Sequence, residues 1–295
     1  MIQVRGLTKR YGPVTAVAGL TFDVTPGVVT GFLGPNGAGK STTLRMLLGL
    51  DHPTAGTARI DGRDYAALPA PLRTVGSLLE SSAAHPGRTA RAHLRWLAAS
   101  NRIPGRRVAQ VLDLVELTSV ADRRVRGFSL GMRQRLGLAA ALLGDPPVLL
   151  LDEPVNGLDA EGIRWLRSRL RGLAAEGRTV VVSSHLMSEV EQTVDHLLVI
   201  GRGRLLADTP LADLLAQHSA RVLVRTAQPR RLADLLTADG ASATVQPDGG
   251  LSVAGLSADQ VGAVAARHGV PLLALGADHR SLEDVFLGLT GGADR

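Results

Sequence analysis

The sequence of 295 residues contains no cysteine, so disulfides and thiolate-bound metal ions are excluded. It has two Trp, two Tyr and four Phe residues, too few to favour stacking on nucleic-acid bases. No apolar run approaches the ~20 residues that span a bilayer, and the N-terminus lacks a secretory apolar region. We therefore expect a soluble, intracellular protein, and any membrane process that it serves would need a pore from another polypeptide.

The formal net charge is +6 and comes mostly from arginine, since lysine occurs only at Lys9 and Lys40. Such a charge is compatible with nucleic acid, with anionic lipid headgroups, or with an ordinary solvated surface. The arginines are scattered along the chain, and the shortage of aromatic residues argues against base stacking. We expect no nucleic-acid partner.

The most informative motif is a glycine-rich loop of the form G-x-x-x-x-G-K-[ST] between a strand-like run at 28–33 and a helix-like run at 42–48. Glycines let the backbone turn tightly and aim N–H groups at phosphate oxygens, and a helix that begins near Lys40 adds its dipole. Lys40 can reach the β- and γ-phosphates, and the Ser41 hydroxyl is placed to ligate Mg²⁺. The alternative is a plain glycine-rich turn with a surface lysine, which would need neither a strand before it nor a helix after it. The predicted ATP-binding residues are Gly34, Pro35, Asn36, Gly37, Ala38, Gly39, Lys40, Ser41 and Thr42.

A second motif is an apolar run at 149–151 followed by Asp152 and Glu153. Ligands of open α/β sheets bind at the carboxyl ends of the strands, and a strand over this run would place Asp152 and Glu153 at that end. Asp152 is predicted to hold the Mg²⁺ shell together with Ser41, and Glu153 to accept a proton from the water that attacks the γ-phosphate. An ordinary strand end with a helix cap is the alternative.

The pattern along the chain predicts an α/β fold with a small second domain. Continuous apolar runs at 148–151, 179–182 and 196–200 are typical of central strands covered on both faces, and 88–143 is predicted to be helical. After about residue 212 the order βαββαβ resembles a ferredoxin-like unit. We predict a nucleotide-binding domain over 1–211, with a helical subdomain at about 84–143, and an accessory α+β domain over 212–295.

A third motif, residues 128–136, resembles the L-S-G-G-Q signature of ATP-binding cassette (ABC) ATPases, followed by that family's usual x-Q-R-L. Ser129 is a good N-cap, and its hydroxyl, the Gly131 N–H and the helix dipole together make a second anion site. Two anion sites for one nucleotide make sense only if the second faces the ATP of another subunit. A head-to-tail pair of chains would then bury two ATP molecules by symmetry.

Other marks of the same family follow in order. Tyr11 matches the aromatic that stacks on adenine, Asp159 lies in the segment that links the two ATP sites, and His185 matches the switch histidine that contacts the γ-phosphate. The resemblance implies a P-loop NTPase core with an antiparallel β subdomain and a helical insertion. The C-terminal domain and the end of the sequence resemble the ATPase subunits of daunorubicin-resistance exporters, which implies a separate membrane permease and a place on the cytoplasmic face of the membrane.

Two positions depart from the family pattern. Glu80 stands where most relatives carry glutamine, and it can offer an oxygen to Mg²⁺ but cannot donate a hydrogen bond. Met132 replaces the last glutamine of the signature. We predict that ATP hydrolysis survives both changes.

Two other functions fit part of this pattern. A soluble ABC ATPase acting on DNA or ribosomes would usually carry coiled-coil insertions or two fused cassettes, and this chain has one cassette without heptad arrays. A non-catalytic regulatory cassette is disfavoured because Lys40, Asp152, Glu153 and His185 are all present.

Overall fold

The structure, a computed structural model, describes residues 1–79, 84–184, 187–218, 221–246, 248–278, 282–283 and 286. The described residues form two compact units, one over Met1–Pro210 and one that begins at Leu211. The sequence pattern placed this change one residue later.

The strands of the first unit agree with the predicted ones and add to them. They are β1 (Ile2–Tyr11), β2 (Val14–Val24), β3 (Val29–Leu33), β4 (Ala55–Ile60), β5 (Val75–Leu78), β6 (Val148–Asp152), β7 (Thr179–Ser184), β8 (His196–Gly201) and β9 (Arg204–Pro210). Its helices are α1 (Lys40–Leu47), α2 (Pro71–Thr74), α3 (Ala90–Ser100), α4 (Arg106–Leu114), α5 (Leu130–Leu142), α6 (Ala160–Ala175) and α7 (Met187–Thr193).

Two sheets organise this unit. The strands β2, β1 and β4 form an antiparallel sheet in that order, which matches the predicted antiparallel β subdomain. The second sheet has the order β5-β6-β7-β3-β8-β9 and is parallel from β5 to β8, with β9 antiparallel to β8. The predicted runs at 148–151 and 179–182 are buried throughout, and that at 196–200 is buried from Leu197 onward, so the prediction of central strands covered on both faces is confirmed.

The register of the parallel strands positions the functional loops. Leu33, the last residue of β3, lies opposite Ser184 of β7, and Asp152 of β6 lies opposite Ser183. Because neighbouring parallel strands end at the same edge of a sheet, the loop after β3 and the carboxylate at the end of β6 meet there, on either side of β7.

The predicted helical segment contains α3, α4 and α5. In α4 the side chains of Val108, Val111 and Leu112 are buried, as is Val115 just beyond the helix. These positions are spaced i, i+3, i+4 and i+7, which places them on one face of a helix. Full burial of a Val or Leu side chain contributes about 1.5–3 kcal/mol, which is what holds so short a helix in place.

The second unit has the predicted βαββαβ order after an initial helix. Its elements are α8 (Leu211–His218), β10 (Arg221–Thr226), α9 (Pro229–Ala238), β11 (Ser242–Val245), β12 (Leu251–Ala254), α10 (Ala258–Arg267) and β13 (Leu272–Asp278). The strands form an antiparallel sheet in the order β11-β12-β10-β13. The turn between β11 and β12 contains Gly249 with φ +81, a conformation that favours glycine. Buried side chains from the sheet, α9 and α10 give this unit a core of its own.

Candidate functional site

The glycine-rich loop is confined between two neighbouring segments. A Cβ at Gly34 would lie 2.5 Å from the carbonyl oxygen of Ile200, and one at Gly39 would lie 2.6 Å from that of Ala16. Gly39 also has φ +103, which an L side chain rarely adopts. Both positions therefore require glycine, because the backbone of a neighbouring segment occupies the space that a side chain would need.

The side chain of Lys40 is held inside this loop. Lys40 is only 7% exposed, and its ammonium donates hydrogen bonds to the carbonyl oxygens of Gly34, at 2.6 Å, and Pro35, at 3.3 Å. Burial lowers the pKa of Lys40, and the nearby carboxylates of Glu153 and Asp152 oppose that change. A buried cation beside the first turn of a helix, whose N–H groups lack partners within the helix, suits a bound phosphate.

Asp152 links the loop to the end of β6. The Ser41 hydroxyl donates to one oxygen of Asp152 at 2.6 Å, and the Ser183 hydroxyl donates to the other oxygen. The structure thus brings together Ser41 and Asp152, two of the three predicted Mg²⁺ ligands. No group of three or more His, Asp or Glu side chains with metal-binding geometry occurs among the described residues. This sparse set of protein oxygens fits Mg²⁺, which keeps waters and binds substrate phosphates, rather than a metal held in an all-protein cage.

Glu153 follows β6 in a strained backbone conformation. Its φ is +48, in the left-handed region, which costs a non-glycine residue about 1–3 kcal/mol. The conformation is fixed by hydrogen bonds from the Glu153 N–H to the carbonyl and hydroxyl oxygens of Ser183, at 3.2 and 3.0 Å. Glu153 and most residues of the glycine-rich loop line one cleft. The cleft is lined by Ala16, Asn36, Gly37, Gly39, Lys40, Ser41, Thr42, Asp152 and Glu153.

A further contact to Glu153 comes from the signature helix α5. Gln134 is only 3% exposed, and its side-chain amide donates to the carbonyl oxygens of Glu153, at 3.2 Å, and Pro154, at 2.8 Å. Sequence reasoning placed Gln134 in the signature motif but gave it no role. Only its place in that motif signalled importance, because its partners lie 19 and 20 residues away in sequence and are brought to it by packing.

The signature motif forms a second cleft. Ser129 caps α5, and its hydroxyl accepts a hydrogen bond from the N–H of Met132 at 3.2 Å. A Cβ at Gly131 would lie 2.6 Å from the carbonyl oxygen of Gly157, so the two segments touch through their backbones. The cleft is lined by Ser129, Leu130, Gly131, Met132, Arg135, Gly157, Leu158 and Asp159. It shares no lining residue with the cleft around Lys40.

Asp159 lies at the start of α6. Its carboxylate caps this helix by accepting from the N–H of Gly162 at 2.8 Å, and it lies 4.0 Å from the guanidinium of Arg135. Asp159 is thus both a helix cap and part of the wall of the signature cleft.

Tyr11 ends β1 and is 47% exposed. Its hydroxyl donates to Asp51 at 3.1 Å, and the ammonium of Lys9 lies 5.0 Å from the centre of its ring. Desolvation and the hydrogen bond to Asp51 raise the pKa of Tyr11, so the phenol is neutral at physiological pH. Two other predicted site residues, Glu80 and His185, lie outside the described residues.

A phosphate-binding loop between a buried strand and a helix, with a carboxylate at the end of the next strand but one in the sheet, defines a nucleotide-binding protein of the P-loop class. Residues 17–156 match the family model described as "ABC transporter". Residues 219–283 match one described as a domain of unknown function.

Curated relatives extend the match to nearly the whole chain. The chain is 37% identical to the bacitracin transport ATP-binding protein BcrA of Bacillus licheniformis, over 99% of this chain and 98% of the relative. It is 38% identical to the Nod factor export ATP-binding protein I of Burkholderia orbicola (strain AU 1054), over 98% and 97%. The chain belongs to the ABC transporter ATP-binding proteins, and it is an ATPase that binds ATP.

Solved structures agree on the fold. An ATP-binding subunit of an ABC transporter aligns with a TM-score of 0.68 and 29% identity, over 74% of this chain and 93% of that one. A dimeric bacterial ABC transporter cassette, MJ0796, aligns with a TM-score of 0.66 over 72% of this chain and 99% of that one; at 24% identity it supports the fold alone. Among the described residues, no helix has both the length and the apolarity to cross a bilayer.

Proposed function

We propose that this chain energises the export of a drug-like or other hydrophobic substrate through a separate membrane permease. Relatives that match almost its full length are named for bacitracin transport and for Nod factor export. The subunit would lie on the cytoplasmic face of the membrane, since the described residues offer no spanning helix and a permease must supply the path.

The single observation that carries the mechanism is the pair of separate clefts in one chain. The cleft around Lys40 has the groups that suit a triphosphate, and the cleft around Ser129 offers the N-terminus of α5. Two chains arranged head to tail would place the Ser129 cleft of each against the ATP of the other. Closure of the pair would depend on the γ-phosphate, and its loss would release the two chains.

Within each site, the residues have distinct roles. Lys40 would bind the β- and γ-phosphates, and Ser41 and Asp152 would hold Mg²⁺, which when bound neutralises phosphate charge during transfer. Glu153 would orient the attacking water and accept its proton. Tyr11 would offer adenine one face of its ring, with Lys9 near the ring as well. Glu80 and His185 keep the roles predicted from sequence, as a Mg²⁺ ligand and as a contact to the γ-phosphate.

The function is tested with purified chain and with membrane vesicles that contain its permease. The chain should hydrolyse ATP only with Mg²⁺, and Lys40→Met should lower nucleotide affinity and ATP hydrolysis by at least about 100-fold, because the substitution removes the buried cation. In inverted vesicles, ATP should drive uptake of daunorubicin or bacitracin, and the Lys40→Met chain should not support it.

Two results would contradict the proposal. One is ATP hydrolysis by the Lys40→Met chain at the rate of the unaltered chain. The other is retention of the chain on duplex DNA or ribosomes at physiological salt with no membrane protein co-purifying, which would favour a soluble ATPase acting on nucleic acid.

A further inference from the structure

The positive charge of this chain is concentrated in one segment. Residues 84–143 contain eleven arginines, no lysine and three carboxylates, which gives a formal charge of +8, whereas the whole chain carries +6. The remainder of the chain is therefore slightly acidic. Although arginines occur along the whole chain, the helical segment of the first unit is the strongly basic part of it.

The fold brings two arginine-rich stretches of this segment together. The N–H of Arg126 donates to the carbonyl oxygen of Pro86 at 3.0 Å, and the N–H of Val125 donates to that of Arg88 at 2.9 Å. An antiparallel bridge between Thr89 and Arg124 joins the same stretches. We call the resulting surface the arginine surface. It consists of Arg88, Arg91, Arg95, Trp96, Arg124 and Arg126.

The arginine surface has little internal neutralisation. Asp122 is the only carboxylate in residues 86–96 and 121–126, and it is bound by Arg91 through bonds of 2.9 and 3.1 Å. Arg88, Arg124 and Arg126 are exposed and form no ion pair with any described residue. Most of the positive charge is therefore available to an external anion.

Trp96 is the second distinctive feature. It is 52% exposed, and the guanidinium of Arg88 lies 4.7 Å from the centre of its ring. An exposed aromatic ring surrounded by arginines is typical of a membrane-interface anchor. In such an anchor the aromatic ring lies at the level of the lipid headgroups and the cations bind the phosphates.

We propose that the arginine surface binds the anionic phospholipids of the membrane that holds the permease. The proposal rests on the proposed function, which places the chain at that membrane. A nucleic-acid partner fits less well, because Trp96 is the only Trp, Tyr or Phe in the two stretches and Arg88 already covers one face of its ring.

The test is co-sedimentation of the full chain with vesicles of phosphatidylcholine, with and without phosphatidylglycerol. The chain should bind only the anionic vesicles, and high salt should weaken binding. An arginine near an anionic surface strengthens binding roughly fivefold, so Arg95→Gln, Arg124→Gln and Arg126→Gln together should weaken it on the order of 100-fold. The matched control removes three other exposed arginines, by Arg63→Gln, Arg164→Gln and Arg171→Gln, and should bind almost normally.

ATP hydrolysis by each purified variant is measured in parallel. Loss of vesicle binding with hydrolysis retained supports the lipid surface, whereas absence of hydrolysis in the unaltered chain counts against the proposed function alone. Equal weakening in the control, or equal binding to neutral vesicles, overturns the proposal. Tighter binding of the chain to a duplex oligonucleotide than to anionic vesicles also overturns it. The proposal is wrong as well if the variant with Arg95→Gln, Arg124→Gln and Arg126→Gln binds vesicles normally but no longer co-purifies with the permease. That result would indicate an acidic protein partner.

Discussion

At the residue scale, Glu153 combines a strained backbone with the role of predicted general base. Its left-handed backbone is held by Ser183 on one side and Gln134 on the other. Ser183 also donates to the carboxylate of Asp152, so one serine contacts the side chain of Asp152 and the backbone of Glu153. The orientation of the predicted general base therefore depends on two side chains that do not line that cleft.

We predict that Gln134→Leu slows hydrolysis without weakening ATP binding. The substitution removes the buried amide that donates to the carbonyl oxygens of Glu153 and Pro154, and a displaced catalytic group can cost up to about 100-fold in rate. Stability should fall by about 1–3 kcal/mol. Steady-state kinetics and a fluorescent nucleotide titration would separate kcat from affinity.

The control for this change is Gln110→Leu, at an exposed glutamine of α4 bonded to Arg107. It should leave kcat unchanged. If Gln134→Leu also leaves kcat unchanged while lowering stability, Gln134 serves packing and not the position of Glu153.

At the element scale, ion pairs secure the turns between helices and the central strands. Asp145 lies in the turn between α5 and β6, and Arg178, just before β7, donates to it at 2.8 Å. The hydrogen bond from Arg178 is the main cause that lowers the pKa of Asp145, and desolvation opposes it. Asp145 also has φ +54, a conformation that Asn adopts as readily as Asp.

Asp145→Asn should therefore remove the charge and keep the turn. A carboxylate whose pKa is lowered by folding stabilises the protein fully above its unfolded value, about 3.9, and loses that contribution as the pH falls through the lowered value. We expect the variant to lose up to about 1 kcal/mol at pH 7, since Asp145 is more than half exposed, and the difference to vanish at the lowest pH values.

Urea unfolding of both proteins at a series of pH values measures this difference. Asp64→Asn, which removes an exposed carboxylate 3.9 Å from Arg59, is the comparison and should change little at any pH. A destabilisation by Asp145→Asn that persists unchanged below pH 3 would mean that the ion pair is not its cause.

At the scale of the whole molecule, the two separate clefts define the main question, which is whether two chains share each ATP. Neither cleft presents both a phosphate loop and the signature helix. An assembly of two chains would complete both sites at once.

We predict that Glu153→Gln traps a closed dimer in the presence of Mg²⁺ and ATP, because the amide cannot accept a proton and the γ-phosphate stays in place. Gel filtration with light scattering should show a shift from monomer to dimer mass that ADP does not produce. Glu191→Gln, at an exposed residue of α7, is the control and should behave as the unaltered chain. A Glu153→Gln chain that binds ATP and stays monomeric would contradict the shared site.

The elements that the sequence predicted well are those with a strong local signal. The buried strands, the phosphate loop and the βαββαβ order after β9 follow from apolar periodicity, glycine position and turn residues within short stretches. Neither α6 nor β9 was predicted from local pattern. The helix α6 carries arginines between its buried leucines, and β9 is only half-buried beside β8.

The residue types themselves decided that this chain binds a triphosphate, because a loop that must turn through left-handed backbone and close around a lysine admits very few sequences. Packing decided the rest. Gln134 reaches Glu153, the signature segment touches Gly157, and two distant runs of arginine join into one surface. These contacts link residues far apart in the chain, and their geometry depends on how helices and sheets fit together, which local pattern does not encode.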